Sequence, residues 1–290
     1  MANNRLLNIL TFITLLCCSI VSGAGLFYSS AGQAYEFINQ HGDAVMIYGT
    51  GMYKNDSYFK APILRGTDCT MLFIACPLLA LALLQNMRTT TPRTKLFLTS
   101  MLGCFLYYAT SQATGVQYNA LHLLYILLFS ASLFGTITGI SVTKQAFNNI
   151  KLSNTFPYNG MYIFLILTGI ALIVAWLPDI VNAMLHKRAL YLIENYTTEI
   201  TYVLDMGIIA PLCFAIIYLL RMRQPTGYIL ADAILTLCSI IGVMIPTQTV
   251  FQYYEGITIP LPALITKVAI FCLLAIFAVY LKTRLLKAIK

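Results

Sequence analysis

Apolar residues fall into eight stretches separated by polar or charged segments: Leu6 to Leu26, Thr67 to Leu84, Leu96 to Val116, Ala120 to Ile140, Tyr158 to Leu177, Thr201 to Leu220, Tyr228 to Ile245 and Ala263 to Leu281. Each is close to the roughly 20 residues that a helix rising about 1.5 Å per residue needs to cross a hydrocarbon core of about 30 Å. The alternation of a membrane barrel is absent, so helices must satisfy the backbone. The pattern predicts an all-α polytopic transmembrane bundle of eight spans.

Composition agrees. With 59% hydrophobic residues, 10% charged residues and a mean hydropathy of +0.78, the chain has too little polar surface to cover a soluble globule. A net charge of +8 raises nucleic acid as a partner, but the basic residues are scattered over short links instead of forming one face. No nucleic-acid partner is expected; the lipid bilayer is.

The basic residues also orient the chain. One set of alternate segments holds Arg5, Arg88, Arg93, Lys95, Lys144, Lys151, Arg221, Arg223, Lys282, Arg284, Lys287 and Lys290; the other holds Lys54, Lys60, Arg65, Lys187 and Arg188, with Lys267 inside a span. This asymmetry predicts both termini in the cytoplasm and a cytoplasmic, inner-membrane location if the cell is bacterial. A cleavable signal peptide ending near Ser22-Gly23-Ala24 competes for the first span, but its apolar run is too long, so a retained anchor is expected.

One transmembrane domain, 1–290, is expected, with long outer loops at 27–66 and 178–200. Their spacing allows two four-helix halves, 1–150 and 151–290, related by a parallel repeat. Asp68 and Asp205 then enter matching helices, followed by Pro77 and Pro211, while His122 and Lys267 fall near the outer ends of matching fourth helices. Chance gives the same pattern, since residue identity between the halves is lacking.

Several motifs carry no chemistry. The eight cysteines all sit in apolar spans without CxxC or histidine spacing, which predicts packing residues and no metal site. The glycines of Tyr48-Gly49-Thr50-Gly51 do not sit between a strand and a helix, so they predict a turn-rich cap or lid and no phosphate loop. No cofactor is expected. Asn55-Asp56-Ser57 and Asn195-Tyr196-Thr197 are glycosylation sequons that carry no meaning in a bacterial cell.

The candidate ligand or ion pocket comprises Arg65, Asp68, Tyr118, Asn119, His122, Thr201, Asp205 and Lys267, which bring both charge signs and several hydroxyls to one membrane depth. Each also has a plain structural reading. Asp68 and Asp205 lie near helix starts, where a carboxylate is favoured; Tyr118 and His122 can share a helix face; Thr198 or a neighbour can cap a helix; Lys267 can snorkel to the headgroups. The alternative for Lys267 is a carboxylate partner, Asp205 first and Asp68 next. Asp232 has no identifiable partner and is read as structural.

A lysine in the last span raises the retinal proteins, but Ala263 stands where that family has an aspartate and Trp176 is the only tryptophan. The strings Arg65-Gly66-Thr67-Asp68, Tyr118-Asn119 and Tyr196-Thr197-Thr198 with Asp205 resemble an uncharacterised family of bacterial polytopic integral membrane proteins over most of the chain. That resemblance implies the fold and no activity. Three function classes follow: an ion-coupled transporter or binding protein for a small solute or lipid-linked ligand, an accessory or assembly subunit of a membrane complex, and a membrane enzyme with Asp68, His122 or Asp205 as acid or base.

Overall fold

The computed structural model describes residues 2–148, 156–259, 261 and 264–289, without the side chains of Ala2, Thr266 and Lys267. The expected boundary between halves, at 150 and 151, and the expected start of the last span at Ala263 lie outside the described residues.

Eight helices and one hairpin are seen among the described residues. Helix α1 is Ala2–Phe27; strands β1 (Tyr35–Ile38) and β2 (Ala44–Ile47) pair antiparallel, with Tyr35 opposite Ile47. Helices α2 (Lys60–Arg88), α3 (Pro92–Gly115), α4 (His122–Phe147), α5 (Tyr158–Leu185), α6 (Ile200–Arg221) and α7 (Pro225–Tyr254) follow. Helix α8 begins as a π turn, Leu264–Ala269, and continues as Ile270–Ala288.

Six of the helices, α1, α2, α4, α5, α6 and α7, are long and apolar enough to cross a membrane, which makes this a multi-pass integral membrane protein by length and composition. Helix α3 falls outside that set for a physical reason. It packs against α2, α4 and α7, so neighbours rather than lipid cover it and it can carry buried Thr99, Ser100 and Gln112. Thr99 shares a hydrogen bond with Thr143 of α4 at 2.9 Å.

Two apolar cores meet near α3 and α7. One joins α1 to α4 with α7 and includes Leu7, Leu79, Leu102, Phe105 and Leu128; the other joins α5 to α8 and includes Phe164, Ile216, Leu235 and Leu281. Helices α2 and α7 approach closely at Gly66, where a Cβ would lie 2.5 Å from Gln248 Cα. No other residue fits there without moving a backbone.

Several helices outrun the apolar stretches. Helix α5 continues through Pro178 to Leu185, and α7 through Pro246 to Tyr254. Prolines mark span ends in sequence, but a membrane helix tolerates them when neighbours satisfy the freed carbonyl. What ends α5, α6 and α7 is a Schellman turn: Arg188, Gln224 and Ile257 donate to Ala183, Leu219 and Gln252, and Lys187, Arg223 and Gly256 adopt positive φ. Lys187 and Arg223 occupy a position that ordinarily favours glycine.

The helices also contain π turns. Met71–Ala75 and Asp205–Ile209 each end two residues before a proline, Pro77 and Pro211. A proline cannot donate to the preceding turn and its ring crowds that carbonyl, so a widened turn accommodates it.

One end of the bundle is the hairpin end, where the hairpin meets the links after α3, α5 and α7. At the other, Asn86 donates to Asn8, and Arg93 donates to the carbonyl of Ile289, tying the start of α3 to the end of α8.

Candidate functional site

Asp68 lies on α2, fully buried, and is held by two hydroxyls. Tyr53 of the hairpin-end loop donates to Oδ2 at 2.5 Å and Tyr108 of α3 donates to Oδ1 at 2.7 Å. Helix α1 comes so close that a Cβ on Gly25 would strike this carboxylate. Asp205 opens the π turn of α6. Tyr107 donates to its Oδ1 at 2.8 Å and Trp176 Nε1 donates to its Oδ2 at 2.8 Å. Thus adjacent tyrosines on α3 hold carboxylates from two different helices. Neither aspartate forms an ion pair among the described residues.

The remaining candidates do not gather around these two. Arg65 donates to Glu255 Oε1 at 3.1 Å and to Tyr48 Oη at 2.9 Å, clamping α2 to the link after α7. Asn119 donates to Tyr125 Oη and accepts from the backbone N–H of Leu121, so it organises the start of α4. Tyr118 is exposed and its ring lies 5.3 Å from that of His122. Thr201 offers its carbonyl to the N–H of Asp205. Lys267 falls in the π turn of α8, and its side chain, with the carboxylate partner expected for it, lies outside the described residues. The helix cap expected at Thr198 or a neighbour falls on the neighbour Glu199, whose carboxylate makes no capping hydrogen bond and pairs with Lys60.

An ion pair within the helices does exist elsewhere. Asp232, fully buried on α7, accepts from Lys282 of α8 at 2.8 Å through both oxygens and from Ser100 of α3 at 2.7 Å; Lys282 also donates to Thr236. The absence of a partner expected for Asp232 is therefore corrected. Position along the chain assigned Lys282 to the terminal segment, but α8 continues through it to Ala288 and its long stem carries the ammonium to Asp232 of α7.

At the hairpin end the two long loops, after α1 and after α5, interlock. Asp56 Oδ1 accepts from Tyr196 Oη at 2.8 Å and from the N–H of Gln117 at 3.0 Å. Ser57 donates to Glu194, while Asn39 and Gln40 donate to the carbonyls of Glu194 and Tyr196. Oδ2 of Asp56 is buried without a partner among the described residues. Burial pushes Asp56 up to about 7, against the hydrogen bonds from Gln117 and Tyr196 and the charge of Lys60, and burial likewise raises Glu194.

An open cleft of about 410 Å³ lies where α5 ends and α6 begins, with Ile180, Met184, Leu190, Val203 and Met206 among its walls. Neither Asp68 nor Asp205 lines it, nor the smaller cleft that includes Tyr118. Among the described residues no group of His, Cys, Asp and Glu could hold a metal ion.

Sequence reasoning missed Tyr53, Tyr107, Tyr108, Trp176 and Lys282. The usable signal was Tyr107-Tyr108 in mid-span, since a phenol buried there needs a hydrogen-bond partner. Comparison with protein-family models, curated proteins and solved structures gives no match.

Proposed function

We propose that this integral membrane protein is an ion-coupled transporter or binding protein in which Asp68 and Asp205 exchange protons as a solute binds from the hairpin side. The observation that carries this is the pair of buried carboxylates within helices, each held, among the described residues, only by neutral donors, on either side of Tyr107 and Tyr108. Ionisable groups at such positions are expensive and commonly mark ion or proton paths. Three further features support it. Asp205 belongs to a π turn, a structure frequent at functional sites, and another lies less than one turn beyond Asp68. Helix α3 carries polar groups along its length, from Ser100 through Tyr107 and Tyr108 to Gln112, whose Oε1 is buried without a partner among the described residues. The basic residues crowd the opposite end, which supports a hairpin end facing outside.

Infrared spectroscopy of the purified protein in lipid tests the proposal. A protonated-carboxyl stretching band should appear and vanish reversibly with pH and should lose intensity in Asp68→Asn and in Asp205→Asn. A titrating band unchanged in both variants would reject it.

The accessory-subunit reading keeps one observation in its favour. All four residues of β1 are exposed, including Tyr35, Phe37 and Ile38, so the strand offers an apolar edge to a partner protein. Co-purification of a stoichiometric protein that is lost on Phe37→Lys would favour it.

A further inference from the structure

The cleft between α5 and α6 has two chemically distinct parts. Its walls are apolar, with Met184 and Val203 half or more exposed at the helix surface, whereas its rim carries Lys187 and Arg188. Glu199 also lines it, but that carboxylate is matched by Lys60. Neither Lys187 nor Arg188 forms an ion pair among the described residues, so the rim presents two cations, while the nearby Asp179 carboxylate accepts from the wall residue Tyr202.

The backbone places these cations deliberately at the cleft. Lys187 adopts φ 49° at the Schellman end of α5, where a glycine is ordinarily favoured, and the turn sets Arg188 beside it. Basic residues at a helix C-terminus also complement its dipole, which accounts for the charge but not for the adjoining apolar hollow. The hollow's volume falls within the range of about 300–1,000 Å³ typical of ligand sites.

We infer that this cleft binds an anionic phospholipid from the leaflet on the hairpin side, its phosphate at Lys187 and Arg188 and a chain between α5 and α6. Charge complementarity selects the headgroup, and the apolar walls select a chain over a free phosphate. The inference does not rest on proton exchange at Asp68 and Asp205. One wall, Tyr202, stacks on Trp176 at 4.8 Å, which brings the chain's only tryptophan next to the proposed ligand.

That arrangement supplies the test. The full chain is reconstituted in phosphatidylcholine bilayers containing a small fraction of brominated phosphatidylglycerol or of brominated phosphatidylcholine, and quenching of Trp176 fluorescence is compared. The anionic lipid should quench at lower mole fraction, with a preference that falls about fivefold for each cation removed in Lys187→Gln and Arg188→Gln. Lys54→Gln, which removes a cation outside the cleft, should leave the preference intact, and Ala183→Leu should reduce quenching by both lipids. Equal quenching by the two lipids in the unaltered protein, or a preference that survives the double variant, would overturn the inference. Because the two lipids are compared at one fixed pH, failure of the preference leaves the carboxylate proposal standing.

Discussion

Tyr107 and Tyr108 are neighbours on α3, yet their hydroxyls serve different helices: Tyr107 donates to Asp205 on α6 and Tyr108 to Asp68 on α2. Successive helix residues project about 100° apart, so a single dipeptide braces two carboxylates across the bundle. Losing either hydroxyl leaves a buried oxygen with one donor fewer.

Tyr108→Phe should therefore lower stability by about 1–3 kcal/mol, and Tyr107→Phe by a similar amount. Thermal unfolding in a fixed lipid or detergent measures both. Combining Tyr108→Phe with Asp68→Leu should cost less than the sum, because the orphaned acceptor is then gone. Strict additivity would mean that the hydroxyl and the carboxylate do not act as a pair.

The Asp232–Lys282 pair predicts a stronger coupling. Breaking a buried pair from one side typically costs about 3–5 kcal/mol, whereas removing both charges often restores much of the loss. Asp232→Asn and Lys282→Met should each destabilise the protein and the double variant should recover. The thermodynamic cycle from three unfolding curves checks this.

Asp56 and Glu194 predict a pH dependence confined to the hairpin end. Their folded forms hold protons more tightly than an unfolded chain does, so closed interlocking of the loops is fully stabilised below the ordinary carboxylate range. It weakens as pH rises, through about 7 for Asp56. Amide hydrogen exchange of the segment 190–198 should accordingly be faster at pH 8 than at pH 5, beyond the intrinsic rate change. Asp56→Asn should reduce that difference; a difference of equal size in the variant would assign it elsewhere.

Two glycines on one helix make a matched comparison. A methyl on Gly25 would meet the Asp68 carboxylate, while nothing lies within 4 Å of a Cβ on Gly23. Gly25→Ala should cost about 1–3 kcal/mol by overpacking, whereas Gly23→Ala should be neutral or slightly stabilising. Similar melting temperatures for the two would contradict the close approach of α1 to Asp68.

Sidedness is open to direct measurement. With the termini on the cytoplasmic side, a single cysteine at Asn55 on a cysteine-free background should react with an impermeant maleimide added outside, and one at Thr90 should not. The reverse labelling pattern would invert the proposed orientation.

The positions of the helices were legible in sequence because lipid imposes a near-uniform apolar length. Helix α3 shows where that signal thins: its cover is protein, so Ser100, Tyr107, Tyr108 and Gln112 replace part of the expected apolar surface. The carboxylates Asp68 and Asp205 stood out because charge inside a span is conspicuous. Their donors did not, since tyrosine and tryptophan in such chains read equally well as headgroup residues, and Tyr53, Tyr108, Tyr107 and Trp176 lie 15, 40, 98 and 29 residues from their acceptors. Lys282 was hidden by its flexibility: chain position fixes where its Cα sits, whereas the ammonium reaches Asp232 fifty residues away.

The interlocked loops also constrain how the molecule can be made. Ser57, Asn39 and Gln40 find their partners 137, 155 and 156 residues later, across four intervening helices. At about 5–20 residues per second, a ribosome needs roughly 7–30 s to supply that second segment. During this interval the nascent hairpin waits on its side of the bilayer with the seat for Asp56 unbuilt, so synthesis that stalls before Glu194 should leave the hairpin open to quality-control proteases even after the first four helices have inserted.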